Sequence, residues 1–177
     1  MNNLEKLTEQ IEQWAIDRNL HTADPRKQML KLGEETGELY SGMAKGNEEL
    51  IKDSIGDAYV VITILSMQKN FSISEFVDSV EESTIKDDAE MALQFSLALM
   101  LRTGSLAHSL KYSNDTDTLK MMTHWFIETL FDLAYALNVN YIECVQMAYD
   151  EIKDRKGKMI DGVFVKESDL VEVTDES

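Results

Sequence analysis

A chain of 177 residues, 44% of them hydrophobic, is long enough to bury one sizeable core, which argues against a disordered segment. Its 33 acidic residues against 17 basic ones leave a formal charge of −16, a surface that repels nucleic acid and anionic membranes and argues against a polynucleotide binder. One proline and ten methionines favour helices, and a single cysteine, Cys144, allows no disulfide within the chain.

The N-terminal "MNNLEKLTEQIEQW" lacks the apolar run of a signal peptide, and no stretch approaches the ~18 apolar residues of a membrane span, so a cytoplasmic protein is expected. Leu4, Leu7, Ile11, Trp14 and Ala15 recur at helical spacing and predict a helix over 3–18. "NLHTADP" interrupts it. Asp24 before Pro25 has the form of an N-cap followed by proline at the first helical position, opening a helix from Pro25 to Ala44. "KGN" at 45–47 makes a turn, and a third helix runs over Glu48–Gln68. Taken alone, "DAYVVITIL" in that helix reads as a buried strand. Its continuity with "EELIKDSIG" favours helix. A fourth, shorter helix covers 72–88, opened by a serine cap.

The second half repeats the first in degenerate form. "TGEL" at 36–39 returns as "TGSL" at 103–106, "NFSISEFV" at 70–77 as "NVNYIECV" at 138–145, and "TIKDD" at 84–88 as "EIKDR" at 151–155, all at an offset of 67 or 68. The repeats span about 25–88 and 93–155 of a single domain covering 1–177. At this offset Glu34, Glu35 and Glu38 become Leu101, Arg102 and Ser105. Asp53 falls near Lys120 or Met121, and Asp57 near His124 or Trp125. One copy keeps acids; the other ends in cations.

The acids suggest a site. Glu34, Glu35 and Glu38 lie within an arc of roughly 100° on one helix, and Asp53 and Asp57 about 40° apart on the next. A helical hairpin through "KGN" brings the five together, and an oxygen-only donor set suits Mg²⁺ or Mn²⁺ rather than zinc. The competing reading is a solvated face, with Leu32, Leu39 and Met43 turned to the core. Against it, Asp57 sits on a helix apolar all round, where an unpaired carboxylate is costly. Gly33, Gly37 and Gly56 are each unfavourable in a helix by about 1 kcal/mol, as if something approaches closely. Further on, Lys153, Arg155, Lys156 and Lys158 form a basic tail over 153–170, read either as cations at a helix C-terminus or as a phosphate grip. "MIDGVFV" predicts a small hairpin or an extended tail.

The motifs "KLGEETGEL", "LIKDSIGDAYVVI" and "EIKDRKGKMIDGVFVKESDL" resemble those of the MazG-type all-α nucleoside triphosphate pyrophosphohydrolases, particularly phage and bacterial MazG-like members, over most of the chain. That superfamily includes dimeric dUTPases, dCTPases and the phosphoribosyl-ATP pyrophosphohydrolase. The resemblance implies an all-α, MazG-like four-helix bundle, here with the degenerate repeat in the partner subunit's place as a pseudo-dimer, and a homodimer as one assembly. It implies Mg²⁺ held by Glu35, Glu38, Asp53 and Asp57, with Glu34 or Glu35 taking a proton from the attacking water. Lys31, Arg155, Lys156 and Lys158 would meet a nucleoside triphosphate's phosphates. Similarity to the dCTPase-like branch adds His21 and Trp14 as nucleobase contacts, although Trp14 at helical spacing also reads as core. Two departures stand out: Ser54 replaces the family's glutamate three residues before Asp57, and Asp150 stands where asparagine often precedes the basic tail. The implied activity is release of pyrophosphate from a (d)NTP in nucleotide-pool control. The alternative is a catalytically decayed relative that binds nucleotide or a protein partner.

Overall fold

The computed structural model describes residues 3–77, 86–113, 115–160 and 163–167. Their architecture is all-α. Helix α1 (Asn3–Asp17) is followed by a 3₁₀ turn (Leu20–Thr22), then α2 (Pro25–Lys45), α3 (Glu48–Gln68), α4 (Ser74–Val77), α5 (Ala89–Tyr112), α6 (Thr116–Ala136) and α7 (Tyr141–Ile152). Strands β1 (Gly157–Ile160) and β2 (Val163–Lys166) then pair antiparallel, with Gly157 opposite Lys166 and Ile160 opposite Val163. Asp161 and Gly162, expected at the tip, and residues 78–85 of the expected fourth helix lie outside the described residues. Among those described, no helix is long and apolar enough to cross a membrane.

Local chemistry sets the helix ends. The Asp24 carboxylate accepts the Arg26 N–H at 2.9 Å with Pro25 at the first position, so α2 opens where its sequence has an acceptor and no missing donor. Gly46 closes α2 in the left-handed region (φ 63), where a Cβ is strained, and the Asn47 side chain then accepts Leu50 N–H at 3.2 Å to start α3. This two-residue hinge folds α3 back along α2. Asp88, Asp115 and Asn140 cap α5, α6 and α7 in the same manner. At the entry to α4 the acceptor is Ser72 Oγ, 3.0 Å from Ser74 N.

The helices form two hairpins, α2–α3 and α5–α6, joined through α2 against α5 and α3 against α6, while α1 and α7 lie on α3. Helix α3 is therefore enclosed on most sides. That explains why "DAYVVITIL", read alone as a strand, is helical and apolar all round: Ala58 to Ser66 are all buried. Tyr59 centres this core, its hydroxyl 2.7 Å from Thr8 Oγ1 and its ring stacked on Phe131, which stacks in turn on Tyr141. One cap recurs 68 residues on. Asn70 (φ 63) and Asn138 (φ 57) are both left-handed, followed by Phe71 N–H to Ser66 O at 3.1 Å and Val139 N–H to Ala134 O at 2.8 Å.

Candidate functional site

A cleft of about 740 Å³ opens where α2 and α3 meet the end of α7, the 3₁₀ turn and α1. Lys31, Glu34 and Glu35 line it from α2, Asp53 and Asp57 from α3, and Glu151 and Arg155 from the end of α7 and just beyond. The rest of its lining includes the apolar Trp14 and Leu20 and, further along α3, Val60, Val61 and Ile64. A charged mouth thus adjoins an oily shelf.

The three glutamates of α2 divide between environments. Glu34 and Glu38 are exposed, whereas Glu35 is 3% exposed and lies on the side of Leu32 and Leu39. Its neighbour one turn back explains how a carboxylate is tolerated there. Lys31 Nζ lies 2.9 Å from Glu35 Oε1 and donates to Glu34 Oε2 at 2.9 Å. Burial nevertheless outweighs Lys31 and raises the Glu35 pKa, with Glu38 and Glu34 adding repulsion. Burial also opposes the Lys31 ammonium, but the two glutamates prevail and raise its pKa.

Asp57 is the most perturbed carboxyl. Burial, then the charges of Glu35, Asp53 and Glu151, push its pKa up to about 7, with only Arg155 opposing. Asp53, one turn earlier and exposed, is raised by burial and by Glu151. Ser54, the residue that departs from the expected acidic pattern, is 1% exposed, and its Oγ has no hydrogen-bond partner. It faces the core, and Asp53 beside it faces the cleft.

The cationic side is held by a backbone network at the end of α7. Trp14 Nε1 donates to Ile152 O at 2.8 Å. Arg18, its guanidinium 4.7 Å from the Trp14 ring centre, donates to Arg155 O at 2.9 Å and to Lys153 O at 3.3 Å. Arg155 itself pairs with Glu151, one turn back. Of the expected cations, Lys31 and Arg155 line the cleft; Lys156 and Lys158 of the basic tail are exposed and are not among its lining residues. His21 is not among the lining residues, although Leu20 and Ala23 are. Trp14 belongs both to the wall and to the core, and its indole N–H is committed to the backbone of α7.

Sequence spacing does not single out Glu151. Its signal is present, an acid one helical turn before Arg155, but only the packing of α7 on α3 carries it to the aspartates. The glycines require a correction. Gly56 serves helix packing rather than the site: a Cβ there would lie 2.3 Å from Cys144 O and 2.9 Å from Ala148 Cβ, so α7 seats directly on the α3 backbone. Gly33 and Gly37, expected to admit a close approach, have no atom of a neighbouring element within 4 Å of where a Cβ would stand.

As a donor set, Glu35, Asp53, Asp57 and Glu151 fit a hard divalent cation, all oxygen and mutually repelling. Among the described residues, however, no three His, Cys, Asp or Glu side chains stand close enough to hold one ion in this arrangement, so ligation requires side chains to turn and Lys31 to release Glu35.

No protein-family model matches the chain, and no solved structure matches it. A stretch of 83 residues, 46% of the chain, is 51% identical to a protein of Haemophilus phage HP1 (strain HP1c1) described as an uncharacterized 18.2 kDa protein in the rep-hol intergenic region. The chain spans about half the length of that relative, 47%.

Proposed function

We propose that this protein is a divalent-metal-dependent nucleotide pyrophosphohydrolase of the MazG-like kind, cleaving a (d)NTP to (d)NMP and pyrophosphate in the cytoplasmic nucleotide pool. One observation carries the reading: Glu34, Glu35, Asp53 and Asp57 share a cleft with Lys31 and Arg155, next to an apolar shelf. A triphosphate needs the first group for its metal, the second for its charge and the third for its base.

Glu35, Asp53 and Asp57 are the residues to hold Mg²⁺, which when bound supplies charge neutralisation and a water of lowered pKa. Glu38 lies outside the cleft and contributes through its charge on Glu35. Glu34, exposed at the mouth, or Glu35 takes the proton of the attacking water. Lys31 and Arg155 exchange their present carboxylate partners for the leaving pyrophosphate, so both cations are held near the site before substrate arrives. The base packs on Val60, Val61 and Ile64. The repeat fits a pseudo-dimer in which α5–α6 fills the place of a partner's acidic hairpin, and the recurring Asn70 and Asn138 caps support that descent.

A second reading, a decayed relative that binds nucleotide without turnover, is favoured by Lys31 already occupying Glu35. Pyrophosphate release from a panel of (d)NTPs, with Mg²⁺ and with chelator, separates the two. Metal-dependent release lost in Glu35→Gln and Asp57→Asn supports the enzyme. Nucleotide binding with no release across the panel overturns it.

A further inference from the structure

The outer face of α5 has no partner within the described residues. Leu93, Leu97, Met100 and Leu101 are 58%, 56%, 46% and 72% exposed, and Met121 and Trp125 of neighbouring α6 are 44% and 38% exposed. Four large apolar side chains in water along one face of α5 exceed the scattered surface leucines of an ordinary monomer. At the repeat offset, Leu101 stands where the first copy has Glu34. Met121 and Trp125 fall at or beside the positions of Asp53 and Asp57. Of the first copy's α2 acids, Glu34 has given way to an exposed leucine, while Glu35 and Glu38 align with Arg102 and Ser105.

Beyond Glu90 at its start, α5 is also acid-free. From Met91 to Tyr112 there is no Asp or Glu, in a chain with 33 of them and a charge of −16. A molecule so acidic repels its own copy almost everywhere, and contact between copies requires a surface of this kind.

The stripe is self-complementary. Glu90, Leu97, Gly104 and Lys111 recur every seven residues along α5, with Leu93 and Met100 between them, the pattern of a helix-pairing seam. Two copies of α5 laid antiparallel about a two-fold axis between Met100 and Leu101 set Leu97 opposite Gly104 and Leu93 opposite His108. The same register sets Glu90, exposed and acidic, opposite Lys111, exposed and basic, twice by symmetry. Gly104 has open space above it and borders a depression of about 380 Å³ lined by Met100, Leu101, Ser105, His108 and Met122. In this register it lies open to Leu97 of a second copy.

We propose that the exposed apolar stripe of α5 is a homodimer interface, in which α5 packs antiparallel on α5 of a second copy with the Met100–Leu101 step at the dyad.

Sedimentation equilibrium over a concentration series, on the full chain, tests this. The wild type is expected as a dimer. Leu97→Glu and, separately, Gly104→Leu are expected as monomers with unchanged far-ultraviolet circular dichroism, since both positions are solvent-exposed. Lys111→Glu is expected to weaken the dimer about tenfold through two lost ion pairs and the new repulsion. Adding Glu90→Lys in the same chain is expected to restore it. A wild type monomeric throughout overturns the proposal, even if the face captures another protein. So does a dimer that survives Leu97→Glu, or one whose Lys111→Glu defect Glu90→Lys fails to repair.

Discussion

Lys31 Nζ lies 2.9 Å from the buried carboxylate of Glu35, one turn away on α2, and thereby holds an acid that the core would otherwise expel. The same contact occupies one of the two Glu35 carboxylate oxygens, Oε1, in competition with any other cation. Lys31→Met is expected to lower the stability of the metal-free protein by about 1 kcal/mol, the loss of a charge-assisted bond discounted for Lys31's half exposure. Added Mg²⁺ should narrow that gap, because the freed carboxylate gains a new partner. Melting temperatures in chelator and in Mg²⁺ measure both. An equal deficit in the two conditions would mean that Glu35 does not serve the metal.

Asp57 gives the stability a pH signature. Its folded pKa of about 7 exceeds the ordinary 3.8, so folding takes up a proton between those values. Stability of the metal-free protein is therefore expected to fall as pH rises from about 4 to about 7 so far as this group acts. Asp57→Asn removes the charge and should flatten the slope and raise the melting temperature at neutral pH, while abolishing turnover. A slope unchanged by Asp57→Asn would show that the group is not desolvated as the packing indicates.

Trp14 and Ile152 couple the first helix to the end of α7. Trp14→Phe keeps an aromatic ring but leaves the Ile152 carbonyl without its donor, at an expected stability loss of about 1–2 kcal/mol. Because Arg155 and Glu151 hang from that end of α7, KM for a triphosphate should rise more than kcat falls. A change confined to kcat would give the indole a direct part in the chemistry.

The glycines separate packing from function. Gly56→Ala pushes a methyl group against Cys144 O and should destabilise by about 1–3 kcal/mol through overpacking. Gly33→Ala and Gly37→Ala meet no neighbouring element and should stabilise α2 by up to about 1 kcal/mol. Assayed in parallel, an inactive but more stable Gly33→Ala would show that substrate approaches α2 there. Retained activity would leave both glycines without a catalytic reason.

Most of the helices are legible in the residues alone, because a helix start is a local event. Asp24 with Pro25, Asn47 and Gly46 announce ends through groups no more than three residues apart, and the apolar period of α1 is read without knowing its partner. The acidic residues of α2 and α3 are legible as a group for the same reason, two helices joined by a two-residue hinge. Which of them is buried is not. Glu34 and Glu35 are neighbours in sequence, and only the packing of Leu32 and Leu39 decides that one faces water and the other the core. Glu151 and Arg155 reach the aspartates because α7 returns nearly a hundred residues later to lie on the bare backbone of Gly56. Such contacts depend on shape across the whole chain, and no local pattern encodes them. Capping and periodicity are properties of short segments. The identity of the cleft, and the exposure of the apolar stripe on α5, were decided by tertiary structure, where burial sets which side chains water can reach.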